Sequence, residues 1–139
     1  MKDEPHIKVR EVMTAKVRTV DSMATVREAM TALADAGVSS LVIERRDERD
    51  EFGLVVVTDI AEQVVAAGRS PDRVNVYEIM TKPVVTLDAE MDIKYAIRLL
   101  VRHRLTRGLV VDHARNLVGI ATLRDMVLSY SGTGQAEAT

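Results

Sequence analysis

The feature that most constrains this chain is an internal repeat. The segment VREVMTAKVRTVDSMATVREAM, which starts at Val9, aligns without a gap with VYEIMTKPVVTLDAEMDIKYAI, which starts at Val76. The alignment places Met13 on Met80, an offset of 67 positions. Because one short repeat cannot bury its apolar face alone, we expect two half-size units that pack into one protein.

Within each repeat the residue pattern predicts a strand, a helix, two more strands and a second helix. A helix should begin after Thr25, which forms a capping-box pattern with Glu28, and after Asp92, a favourable N-cap residue. Gly37 fits the left-handed residue that follows a helix. The other strands and helices are expected at 17–20, 41–44, from 53 and 59–67 in the first repeat, and at 84–87, 109–112, from 117 and 124–129 in the second.

Polar segments divide the chain around these elements. The run RRDERDEF, at 45–52, is typical of a solvated loop of mixed charge and receives no functional role. The run HARN, at 113–116, is typical of a tight turn. The predicted division is an N-terminal arm at 1–8, the first repeat at 9–68, a linker at 69–75, the second repeat at 76–130 and a disordered tail at 131–139.

Composition narrows the classes of function. Hydrophobic residues make up 47% of the chain and aromatic residues only 3%, so the core is aliphatic and stacking platforms for single-stranded nucleic acid are scarce. A net charge of -2 gives no field that would steer the chain to nucleic acid or to an anionic membrane. The absence of cysteine excludes disulfides and thiolate metal sites. We expect a cytoplasmic protein without membrane segments and without a nucleic-acid partner.

The third strand of each repeat ends in a similar motif, GLVVVTDI from Gly53 and GIATLRDM from Gly119. In the second copy, Thr122 and Asp125 bring a hydroxyl and a carboxylate to a junction between a strand and a helix. Such a junction exposes backbone N–H groups and the positive end of the helix dipole, so it suits a ribose or a phosphate. A simpler interpretation makes Asp125 the N-cap of the helix, a role that needs no ligand.

The order of elements and the closing pattern G-aliphatic-x-[TS]-x-x-D resemble the cystathionine β-synthase (CBS) domain family, as a tandem pair over residues 9–130. The segments that carry the resemblance are VMTAKVRTV, GVSSLVIE and GLVVVTDI, then IMTKPVVTL, RLTRGLVVD and GIATLRDM. The resemblance implies an α/β (α+β) fold of two β-α-β-β-α repeats packed about a pseudo-twofold axis. It also implies two clefts that often bind adenosine-containing ligands, and a homodimer.

In the family, the cleft completed by one closing motif also uses the leading segment and the second strand of the other repeat. A carboxylate can accept hydrogen bonds from two ribose hydroxyls, and aliphatic walls suit a purine. Arg107, Arg124 and Arg18 are the alternatives for phosphate contact. The resemblance thus implies a ligand site made of Thr14, Val17, Arg18, Val38, Ser39, Ser40, Arg107, Ile120, Thr122, Arg124 and Asp125.

The sister cleft departs from this pattern. Val56 occupies the place of Thr122, so one hydroxyl contact is lost, and only Thr58 could replace it from another angle. We expect this cleft to bind adenosine ligands more weakly or to stay empty. By the same resemblance it would use Thr81, Lys82, Val84, Leu105, Thr106, Leu54, Val56, Thr58 and Asp59.

The sequence favours a regulatory module over an enzyme. It shows no nucleophile with a base, no phosphate-cradling glycine loop and no cluster of metal ligands, and no required cofactor is expected. The leading interpretation is a sensor of an adenine nucleotide (AMP, ADP or ATP) that reports to an unknown effector protein. The alternatives are an interaction or oligomerisation scaffold with a vestigial nucleotide site, and a binder of S-adenosylmethionine or NAD.

Overall fold

The computed structural model of the protein describes residues 6–82 and 84–132. Two compact units divide these residues: unit 1 contains residues 6–17 and 85–132, and unit 2 contains residues 18–82 and 84. The units therefore cut across the sequence repeats. The leading segment of the first repeat, residues 9–17, folds with the strands and helices of the second repeat, and residues 76–82 fold with those of the first.

Unit 2 contains a three-stranded sheet. Its elements are β1 (Thr19–Val20), α1 (Val26–Ala36), β2 (Ser40–Ile43), β3 (Gly53–Val56), α2 (Val57–Ile60), a π-helical turn (Ala61–Val65) and a 3₁₀ turn (Val76–Glu78). Strand β1 runs parallel to β2, and β2 pairs antiparallel with β3. The two ends of the β2–β3 ladder are the pairs Ile43–Gly53 and Ser40–Val56.

Unit 1 repeats this topology. Its elements are a 3₁₀ turn (Val9–Glu11), β4 (Thr86–Asp88), α3 (Ile93–Arg102), β5 (Arg107–Val111), β6 (Leu117–Thr122) and α4 (Leu123–Tyr130). Strand β4 runs parallel to β5, and β5 pairs antiparallel with β6. The predicted fold class, with two β-α-β-β-α repeats, is confirmed.

Local sequence signals set the bounds of the first helix in each unit. Thr25 Oγ1 accepts a hydrogen bond from Glu28 N at 3.1 Å, and Thr25 N donates to the Glu28 carboxylate at 2.7 Å. In unit 1 the Asp92 carboxylate accepts a hydrogen bond from Lys94 N at 2.8 Å. These bonds satisfy N–H groups that have no partner within the helix, so both predicted helix starts are confirmed.

Each core includes side chains from the leading segment that folds with it. In unit 2, Val76 and Ile79 are buried in the same cluster as Val26 of α1. In unit 1, Val9 is completely buried in the cluster that contains Ile93. Because full burial of one such side chain contributes about 1.5–3 kcal/mol, neither core is complete without its leading segment.

The structure shifts several predicted bounds. Strands β1 and β4 begin two residues later than expected, and helices α2 and α4 begin at Val57 and Leu123, directly after the third strands. The predicted linker at 69–75 is packed through an ion pair between Arg27 Nε and Asp72 Oδ1 at 3.0 Å. Most of the predicted arm and tail, residues 1–5 and 133–139, lies outside the described residues.

Candidate functional site

The leading segment of each repeat joins the third strand of the unit in which it folds. In unit 1, Thr14 and Ile120 exchange two backbone hydrogen bonds, of 2.8 and 3.0 Å. In unit 2, Thr81 and Leu54 exchange the same pair of bonds, again at 2.8 and 3.0 Å. The predicted site residues Thr14 and Ile120 are therefore neighbours, and so are Thr81 and Leu54.

The glycine that opens each closing motif permits this approach. A Cβ atom on Gly119 would lie 2.7 Å from Met13 Sδ and 2.8 Å from the Thr14 carbonyl oxygen. A Cβ atom on Gly53 would lie 2.6 Å from Met80 Sδ. Gly119 is required by this packing because the Thr14 carbonyl oxygen is backbone, whereas a Cβ atom at Gly53 would require the Met80 side chain to shift.

In unit 1, Thr122 rather than Asp125 is the N-cap of the last helix. Thr122 Oγ1 accepts a hydrogen bond from Asp125 N at 3.1 Å. Asp125 occupies the first turn of α4, and its carboxylate accepts no hydrogen bond from residues 6–82 and 84–132; Arg124 Nη1 lies 3.9 Å from Asp125 Oδ1. The interpretation of Asp125 as an N-cap is therefore wrong, and its carboxylate is half-exposed.

Unit 2 uses the equivalent aspartate differently. Val56 precedes α2, and its side chain has no oxygen that could cap this helix. The carboxylate of Asp59 instead accepts a hydrogen bond from Val56 N at 3.0 Å. One carboxylate oxygen is thereby committed to the backbone. The loss of the threonine hydroxyl thus also reduces the acceptor capacity of the aspartate that the sister cleft would use.

The second strand of each unit lies beside the closing motif of the same unit. Arg107 is paired with Thr122 across β5 and β6, and Leu123 N donates to the Thr106 carbonyl oxygen at 2.7 Å. In unit 2, Ser40 is paired with Val56, and the Ser39 carbonyl oxygen accepts from Val57 N at 3.0 Å. Arg107 therefore occupies in β5 the place of Ser40 in β2, at the unchanged offset of 67.

Lys82, which was predicted to line the sister cleft, is held by the mixed-charge loop. Lys82 Nζ donates to Asp50 Oδ1 at 2.5 Å, and Asp50 Oδ2 accepts from the backbone N and the Nε of Arg46, at 2.9 and 3.1 Å. Only 7% of the Asp50 side chain is exposed. Hydrogen bonding to Lys82, followed by that to Arg46, lowers the pKa of Asp50 far below its ordinary value.

The remaining predicted residues are divided between the units. Thr14, Val17, Arg107, Ile120, Thr122, Arg124 and Asp125 belong to unit 1, as do Leu105 and Thr106. Arg18, Val38, Ser39 and Ser40 belong to unit 2, together with Leu54, Val56, Thr58, Asp59, Thr81, Lys82 and Val84. That the two groups together enclose a ligand stays a prediction.

Sequence reasoning missed the role of Asp50 because its run of mixed charge is typical of a solvated loop. A signal was present in the repeat alignment, where Lys82 falls on Ala15, so that only the second leading segment carries a cation at this position.

Among residues 6–82 and 84–132 there is no group of three or more His, Cys, Asp or Glu side chains placed to hold a metal ion. No helix in this part of the chain has the length and apolarity to cross a bilayer.

Both units have the β-α-β-β-α topology. In each unit a leading segment pairs with the strand that ends at the strand-to-helix junction. The chain is therefore a tandem-repeat module. The chain belongs to the CBS domain family, which matches residues 9–66 and 76–132. An uncharacterized protein of Methanopyrus kandleri is 32% identical over 87% of this chain, and the chain spans 61% of that relative's length.

Solved structures share the fold. A hexameric CBS-CP12 protein from bloom-forming cyanobacteria is 33% identical, with a TM-score of 0.85 over 91% of this chain and 69% of that chain. A CBS domain pair solved with 5′-methylthioadenosine and S-adenosylmethionine is 24% identical, with a TM-score of 0.76 over 92% of this chain and 98% of that chain. At the latter identity the likeness concerns the fold.

Proposed function

We propose that this chain is a regulatory module that binds an adenosine-containing ligand at the closing motif of the second repeat. The observation that carries the proposal is that Thr122, and not Asp125, caps helix α4. Because Thr122 caps the helix, the Asp125 carboxylate is left to accept hydrogen bonds from a pair of ribose hydroxyls.

The surroundings of Asp125 support the same ligand class. The leading segment brings Thr14 beside Ile120, and β5 brings Arg107 beside Thr122, so apolar, polar and cationic groups lie around one junction. A ligand there would contact both the leading segment and the last strand. By stabilising their contact it would change the packing or dimerisation of the module, and a separate effector protein would respond to that change.

The asymmetry between the repeats supports one strong site per chain. Val56 supplies no hydroxyl, Asp59 commits one oxygen to the backbone, and Lys82 is bound to Asp50. We propose that the sister cleft binds adenosine ligands more weakly or remains empty.

Calorimetric titration with AMP, ADP, ATP, NAD and S-adenosylmethionine tests the proposal. We expect at least one compound to bind the wild-type chain, and Asp125→Ala to weaken it about 10- to 100-fold, the effect of losing hydrogen bonds to a charged acceptor. Asp59→Ala is the matched control and should change that affinity less than about threefold.

Three outcomes would contradict these statements separately. If no adenosine compound binds, the sensor function is wrong and the scaffold alternative takes its place. If the Asp125→Ala variant binds as tightly as the wild type, the assignment of the site to Asp125 is wrong. If two equal sites per chain are found, the proposed difference between the two clefts is wrong.

A further inference from the structure

Unit 2 contains a cavity of about 470 Å³ whose lining includes no residue of the adenosine site at Asp125 and shares only Lys82 with the sister cleft. Asp21 follows β1 directly, Arg46 follows β2, and Met80 Sδ lies against Gly53 at the start of β3. These residues belong to the end of the sheet marked by the pair Ile43–Gly53. Val56, which precedes α2 and Asp59 of the closing motif, lies at the other end of the ladder.

One wall of the cavity carries two cations that share one carboxylate. Lys82 and Arg46 both line the cavity and both bind the carboxylate of Asp50. The Lys82 side chain is 25% exposed and keeps further N–H donors beside the one given to Asp50. Because the Asp50 carboxylate holds Lys82 Nζ at the cavity wall, a bound anionic group would meet this cation with little ordering cost, whereas the Arg46 side chain is 75% exposed.

The other lining groups are apolar surfaces and acceptors. Met23, Tyr77 and Met80 offer thioether and aromatic surface. Asp21 Oδ1 accepts from Met23 N at 2.7 Å, which leaves Asp21 Oδ2 for a second donor. The charges of Lys82 and Arg46 are balanced by those of Asp50 and Asp21, so the cavity favours a net-neutral ligand with separated charges.

The equivalent place in unit 1 is occupied by ion pairs. At the offset of 67, Met23 corresponds to Glu90, Tyr77 to Arg10 and Lys82 to Ala15. Glu90 accepts from Arg10 Nε at 2.9 Å and from Lys8 Nζ at 2.8 Å. Unit 2 thus has the apolar pair Met23 and Tyr77 where unit 1 has an ion pair.

We propose that the cavity of unit 2 binds a small zwitterion, a free α-amino acid with an apolar side chain. The carboxylate would contact Lys82 and Arg46, the ammonium group Asp21 Oδ2, and the apolar side chain Met23, Tyr77 and Met80. A ligand of about ten heavy atoms at a partly exposed cavity binds with a Kd on the order of 1 mM.

The test is a titration of the isotope-labelled full chain with L-methionine and L-phenylalanine, followed by ¹H–¹⁵N NMR. We expect saturable shifts confined to residues around 21–24, 46 and 77–82. N-acetyl-L-phenylalanine and L-phenylalanine amide, which each lack one charge, should bind about tenfold more weakly. Equal binding of either derivative would overturn the zwitterion assignment.

The matched variant copies unit 1 into unit 2. Met23→Glu with Tyr77→Arg recreates an ion pair that the fold already tolerates in unit 1, and it should weaken binding at least tenfold while the remaining spectrum stays folded. Arg10→Ala, in unit 1, should leave the affinity unchanged. Absence of saturable shifts up to about 20 mM, or shifts centred outside unit 2, would overturn the proposal. Asp125→Ala should not affect this site, so the result is independent of the adenosine proposal.

Discussion

The residue in left-handed conformation that follows the long helix differs between the two units. Gly37 follows α1 with φ of +65°, and Arg104 lies at the equivalent position in unit 1 with φ of +56°. Glycine adopts this left-handed conformation at little cost, whereas a residue with a Cβ atom is strained there by about 1–2 kcal/mol.

Arg104→Gly should therefore raise the free energy of unfolding by about 0.5–1 kcal/mol, and Gly37→Ala should lower it by about 1 kcal/mol. Urea denaturation followed by circular dichroism measures both changes. Arg98→Gly, inside α3, is the control and should destabilise the protein by about 0.5–1 kcal/mol. A destabilised Arg104→Gly variant would show that the arginine side chain outweighs its backbone strain.

At the scale of residues, the sequence locates the closing motif but does not show which of its side chains caps the helix. Thr122 and Asp125 follow from the motif, but the capping role falls to Thr122, because helix α4 starts immediately after β6. The local sequence does not reveal the contact of Asp50, since its partner Lys82 is 32 positions away. A contact at that distance leaves no trace in the local pattern of charge.

At the scale of elements, the loop between β2 and β3 distinguishes the units. The corresponding connection between β5 and β6 is a short turn, in which Asp112 accepts from Asn116 N at 2.9 Å. The longer loop of unit 2 instead reaches the leading segment through Asp50 and Lys82. The helices and strands themselves were predictable, because capping residues and glycines specify them locally, whereas the reach of a loop is a tertiary property.

The Asp50 contact predicts a dependence of stability on pH. Since the pKa of Asp50 is lowered in the folded state, its contribution is complete above the ordinary aspartate pKa of about 4 and is lost as the pH falls further. Asp50→Asn should lower the urea midpoint at pH 7, and the difference from wild type should shrink below about pH 4. Asp47→Asn, in the same loop, is the control. A difference that grows toward acid would contradict the sign.

At the scale of the whole molecule, the sequence repeat and the folded unit contain different residues. The repeat predicted the topology, because each copy carries the same strands and helices. It did not predict that unit 2 is built from a continuous stretch, 18–84, while unit 1 joins residues from both sides of it. The alignment of the copies carries no information on which leading segment completes which core.

A fragment of residues 18–84 should accordingly fold, whereas a fragment of residues 9–68, one sequence repeat, should not. The first keeps Val76 and Ile79 in its core, and the second loses both. At this length we expect an unfolding free energy of only about 1–4 kcal/mol for the first fragment. Cooperative urea unfolding and dispersed NMR spectra measure the difference. A folded 9–68 fragment would show that the leading segment is dispensable.

The exchange of leading segments also sets an order of events during synthesis. Unit 2 has all its strands, helices and leading segment once residue 84 has left the ribosome, so it can close while the rest of the chain is still being made. Residues 9–17 precede unit 2 in the chain, yet Ile120, the backbone hydrogen-bond partner of Thr14, is synthesised after it. The nascent chain must therefore keep Val9 out of its native contacts until Ile93 and the other core residues of unit 1 have been synthesised.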